Sequence, residues 1–98
     1  MAMTNHERVG RALSLLNEGL MPFVERELKA EYGEKWEEIA EEAYPDKNAK
    51  RNEEGLWDTQ KLLLVMWNQW NEVFSRILGH TERSIVSELR ETRNQWAH

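Results

Sequence analysis

The chain has 98 residues, 40% of them hydrophobic and 32% charged, with five Trp, no Cys and a formal net charge of −5. This length allows one packed domain with one core, and the Trp and apolar content argues against disorder. The absence of Cys excludes disulfides and thiolate metal sites and fits a cytoplasmic location, while the acidic total excludes a diffuse, nonspecific nucleic-acid binder, so that any RNA contact must be local.

Met1-Ala2-Met3-Thr4-Asn5-His6-Glu7-Arg8 places charge before any apolar run, unlike a signal peptide. The longest apolar run, Leu62 to Trp67, is too short to span a bilayer, so no membrane partner is expected. A first helix is expected from about Asn5 to Glu18, with Val9, Ala12, Leu13 and Leu16 on one face. Gly19 should punctuate it, and Pro22 suits the first turn of a second helix carrying Phe23, Val24, Leu28 and Tyr32 to Gly33. A short segment, Glu34 to Tyr44, turns Trp36, Ile39, Ala40 and Ala43 inward before Pro45 stops it.

The stretch from Pro45 to Gly55 is polar and unpatterned, and residues 45–57 read as a surface loop. Asp58 or Thr59 could cap the next helix, in which Leu62, Leu63, Met66, Trp70, Val73, Phe74 and Ile77 recur at three and four. Gly79 ends it, Thr81 can cap the last helix, and Ile85, Val86, Leu89 and Trp96 should face inward. The short Gly79-His80 connection requires the last two helices to lie antiparallel. The expected architecture is a single all-α domain over 1–98, an up-and-down bundle of four main helices plus a short extra helix. Its centre should be built from Trp70, Phe74, Leu63, Leu89 and Trp96.

No phosphate loop or Ser-His-Asp arrangement stands out, and the His residues at 6, 80 and 98 lack metal-ligand spacing, so neither metal nor cofactor is expected. Glu31, Glu34, Glu38, Glu41 and Glu42 form an acidic row that reads first as a solvated face. Trp67 falls off the main stripe of its helix and suits a second contact surface. On the last helix, with Leu89 as the centre of the buried face, Arg93 falls about 40° away, inside the apolar sector. There it either snorkels or pairs with a core carboxylate such as Glu72, or it serves a ligand. His98 points about 140° away from Arg93 on an ideal helix, so a site using both is easier to assemble from two copies of the chain. Arg83 and Arg90, seven residues apart, line up with Asn94 and give this helix a local basic edge.

Arg93-Asn94-Gln95-Trp96-Ala97-His98 resembles the ribonuclease motif of the HEPN superfamily: an Arg, a polar residue, a spacer and a His near the end of a helical bundle. Arg8-Val9-Gly10-Arg11-Ala12-Leu13, the stretch from Gly19 to Leu28, Gly79 to Ser84 and Ser87-Glu88-Leu89-Arg90 are similar to the branch typified by a yeast mRNA-surveillance endoribonuclease and by N-terminal domains of large bacterial P-loop ATPases of defence systems. The resemblance implies a helical homodimer whose Arg and His residues line one cleft. It makes Arg93 and His98 the candidate catalytic pair and RNA the candidate partner, and Asn94 with the basic edge of Arg90 and Arg83 supplies the candidate substrate contacts. It also implies that 1–98 is an N-terminal fragment of a longer protein with an ATPase domain following it. Two functions compete: a metal-independent endoribonuclease, or a non-catalytic module that dimerises, binds RNA or nucleotide, and regulates the attached ATPase.

Overall fold

The computed structural model describes residues 4–43, 51 and 55–97. Those residues hold helices and turns and no strand. Helix α1 spans Asn5–Tyr32, α2 Trp36–Ala43, α3 Thr59–Asn68 and α4 His80–Ala97, with 3-10 turns at Gly33–Lys35 and Phe74–Arg76. Among the described residues the architecture is therefore three main helices and one short one, rather than four main helices plus a short one.

The difference arises at the N-terminal half, where the two expected helices are one. Thr4 caps α1 by accepting from the Glu7 amide. The helix then runs through Gly19 and Pro22. An interior proline removes a hydrogen bond and opposes helix by about 3 kcal/mol. Pro22 lies on the exposed side, however, while Leu13, Asn17, Met21, Val24 and Leu28 form one continuous buried stripe. Burying side chains of that size is worth about 1.5–3 kcal/mol each, so packing of the stripe outweighs the local penalty.

The next departure is in α3. The three-four spacing extends to Ile77, but the regular helix ends at Asn68. Residues 69–78 continue as irregular turns in which Phe74 and Ser75 bond back to Gln69 and Trp70. The Ser75 hydroxyl donates to the Asn71 carbonyl, and the Tyr32 hydroxyl bonds Gln69, so polar side chains compete with the helical ladder here. The turns still deliver Trp70, Val73 and Phe74 to the core, but Ile77 is 51% exposed. Ile85 is 46% exposed, also against expectation. Gly79 rather than Thr81 precedes α4: its carbonyl accepts from the Arg83 amide and its N–H donates to the Glu82 carboxylate, half of a capping box.

Asp58, at the start of α3, meets Arg93 near the end of α4, while Trp67 at the far end of α3 meets Arg83 near the start of α4. The two helices are antiparallel, as the short connection requires. Leu63, Trp70 and Phe74 occupy the centre, together with Val24, Leu28, Leu62 and Met66. Leu89, expected at that centre, is half-buried at its edge, and Trp96, also expected there, is half-buried against His6 and Gly10 instead. Most of the 45–57 loop lies outside the described residues; of its described end, Trp57 is only 3% exposed. Its carbonyl accepts from buried Asn17, and its indole lies against Trp36 and the Lys61 ammonium. Lys61 itself is 2% exposed and ion-paired with Glu41 at 2.6 Å. The acidic row is thus partly structural, since Glu31 also pairs with Arg76.

Candidate functional site

Residues 93–97 form the end of α4, and their geometry is set by contacts to the starts of α1 and α3. Arg93 is half-buried, its side chain 17% exposed, and Nη2 donates to Asp58 Oδ2 at 3.3 Å. The partner is not Glu72, the carboxylate that seemed available from the core side of the preceding helix. Asp58 precedes α3 but makes no side-chain cap to it, so its carboxylate is left for the arginine. A guanidinium so held has one N–H engaged and others that can meet a second oxyanion.

Three residues further along, Trp96 is anchored to the beginning of the chain. Its indole N–H donates to the His6 carbonyl at 2.8 Å, and its ring stacks on the His6 imidazole, centroids 4.9 Å apart and planes 18° apart. Gly10 lies under the same ring: a Cβ there would come within 2.8 Å of Trp96 Cζ2. Gly10 is thus a close-approach glycine on α1, and its missing side chain is what lets α4 dock. The C-terminal turn of α4 is consequently fixed in place although Trp96 is not deeply buried.

Arg83 and Arg90 are on a different neighbour. Both guanidinium carbons lie over the Trp67 ring, at 4.8 and 5.6 Å from its centroid. Trp67 is accordingly half-buried, with two arginines of its own chain over its ring. Asn94 is half-buried on α4, and His98 lies outside the described residues. The structure therefore brings Arg83 and Arg90 together on one aromatic ring and sets Arg93 beside Asp58. Sequence reasoning did not find Asp58 as the arginine's partner, Trp67 as the seat of two arginines, or His6 beside the motif. The signal available for Trp67 was its place off the core stripe.

An all-helical domain that carries this arginine on its last helix defines the class. The family comparison is specific: the chain belongs to the HEPN superfamily, matching the family described as Swt1-like HEPN over residues 11–98. Swt1 is a yeast mRNA-surveillance endoribonuclease. No curated protein and no solved structure matches the chain. Among the described residues, no helix is long and apolar enough to cross a membrane.

Proposed function

We propose that the domain is the RNA-cleaving part of a metal-independent endoribonuclease of the surveillance or defence type, with Arg93 and His98 as its working pair. The observation that carries this reading is the placement of Arg93: the first residue of the motif, on the surface edge of α4, held by one N–H to Asp58. RNA supplies its own nucleophile. A base removes the 2′-hydroxyl proton, the oxygen attacks the adjacent phosphorus, and the P–O5′ bond breaks as the leaving oxygen takes a proton. The products are a 2′,3′-cyclic phosphate and a 5′-hydroxyl. An imidazole near neutrality suits either proton transfer, so His98 is assigned to that work. Arg93 stabilises the phosphorane charge through its fork, and Asn94 orients the phosphate. Arg93 and position 98 diverge by about 140° on an ideal helix, so the complete site is assigned to two copies of α4 around a two-fold axis.

The test incubates labelled single-stranded RNA, in EDTA, with the longest natural form of the protein. Wild type should yield cyclic-phosphate ends. His98→Ala should abolish cleavage without loss of fold, and Arg93→Lys should rescue poorly because a point charge does not replace the fork. Light scattering over a concentration series should show a dimer.

One observation favours a second reading. The Asp58 carboxylate already occupies the position on Arg93 that a phosphate would share. A non-catalytic module that dimerises, or binds RNA or nucleotide while regulating an attached ATPase, would tolerate that pairing permanently. Absence of cleavage of any RNA by the longer protein, or His98→Ala cleaving like wild type, would select it.

A further inference from the structure

Most cations of this acidic chain with a contact in the structure meet a carboxylate: Arg51 meets Glu37, Lys61 Glu41, Arg76 Glu31 and Arg93 Asp58. Arg83 and Arg90 do not. Among the described residues neither forms an ion pair, and both lie over the one ring of Trp67. They sit seven residues apart on α4, so their backbones are separated by about 10 Å of helix rise and their side chains converge on the indole from two levels. Arg83 Nε is buried and donates to no acceptor among the described residues. Two like charges gathered on one ring repel, and the π-system offsets that only in part. Phosphates meeting the two forks would relieve the repulsion and satisfy the free donors.

The surface beside them is an open depression of about 500 Å³ lined by Trp67, His80, Arg83, Ser84, Ser87 and Glu88. It is large enough for a nucleotide-sized group. The Ser84 hydroxyl bonds the His80 carbonyl, and the Glu82 carboxylate is taken by the Gly79 N–H. Glu88 is the one carboxylate among the lining residues, and Arg83 is the lining guanidinium. Arg93 follows Arg90 by less than one helical turn, so cations run along α4 from this depression toward the motif.

We propose that Arg83 and Arg90, seated on Trp67, form a phosphate subsite for single-stranded RNA, holding two backbone phosphates beside the scissile one. This rests on the reading of the chain as an RNA-acting domain. Trp67 is a positioning residue: both guanidiniums rest on its ring, and one row of cations on one helix tracks one strand. Hydroxyl and imidazole groups around the depression suit phosphate and sugar oxygens better than the apolar side chains of a peptide.

The test is fluorescence anisotropy of a short labelled single-stranded RNA against the full chain, in EDTA, over a KCl series. Each single-strand phosphate contact contributes about 0.7 to the slope of log K against log salt. The double variant Arg83→Gln/Arg90→Gln should lower that slope by about 1.4 and weaken binding at low salt by at least tenfold. Arg83→Lys/Arg90→Lys should keep the slope and lose part of the affinity, and Arg26→Gln, whose partner is Glu27, should change neither. Circular dichroism verifies each fold. An unchanged slope in the double Gln variant, no RNA binding by wild type, or displacement of RNA by an acidic peptide at equal charge overturns the subsite. If RNA is bound through Arg83 and Arg90 but never cleaved, the subsite stands and the nuclease reading falls. If cleavage depends on His98 while the slope ignores Arg83 and Arg90, the reverse holds.

Discussion

Arg93 and Asp58, thirty-five residues apart, are joined by one hydrogen-bonded ion pair that ties the end of α4 to the start of α3. The carboxylate is 51% exposed. Such a pair contributes at most about 1 kcal/mol, because water and salt screen it. Asp58→Asn should therefore shift the urea midpoint only slightly. It should also tighten RNA binding, since a competing carboxylate is removed from the arginine. A loss of several kcal/mol would instead make the pair a structural one. Arg93→Ala should cost more than Asp58→Asn, as the half-buried stem loses its packing as well.

The contact between Gly10 and Trp96 predicts opposite signs for one substitution at two glycines of α1. Gly→Ala in a helix interior gains about 0.5–1 kcal/mol where the methyl meets nothing. At Gly19 nothing lies within 4 Å, so Gly19→Ala should stabilise by about that amount. At Gly10 the methyl meets a ring held by stacking and a hydrogen bond to His6, and overpacking costs about 1–3 kcal/mol. Gly10→Ala should be net destabilising and should weaken any activity that needs the end of α4. Equal stabilisation at both positions would mean that Trp96 does not dock as described.

Tyr32 sets an alkaline limit. Burial raises its pKa above the ordinary value of 10.0, with Glu72 and then Glu31 adding to the effect and Arg76 opposing it. The folded state therefore holds this proton more tightly than the unfolded chain. Its stabilisation is complete below the unfolded pKa near 10 and is lost as pH rises through the folded value. Stability measured by urea unfolding should fall above about pH 10, and Tyr32→Phe should flatten that limb. An identical alkaline limb in the variant would assign it to other groups.

Phe74 and Ile77 are three residues apart on what looks like one stripe, yet Phe74 is fully buried and Ile77 half-exposed. Phe74→Ala and Trp70→Ala should each cost about 3–5 kcal/mol. Ile77→Ser should cost about 0.5 kcal/mol or less. Chemical denaturation of the three variants separates them. A large loss at Ile77 would restore the long regular helix that the spacing suggested.

The helical class, the antiparallel close of α3 against α4, the core roles of Leu63, Trp70 and Phe74, and the resemblance to the HEPN superfamily were legible in the residues alone. Each is a local property: apolar spacing at three and four belongs to a single helix, a two-residue connection dictates direction, and a motif is contiguous. Helix length was not legible, because Gly19 and Pro22 carry penalties of a few kcal/mol that any well-packed stripe can outweigh. The partners were not legible either. From the period of α4, Arg93 faced inward, and Glu72 was the carboxylate that the pattern offered it. Only the crossing of α4 over the start of α3 selects Asp58. Likewise Trp96 on His6 and Gly10, and Arg83 and Arg90 on Trp67, join segments far apart in the chain. Periodicity determines which side of a helix turns inward. How the helices cross determines which side chain waits there, and that crossing is decided by the packing of the whole core.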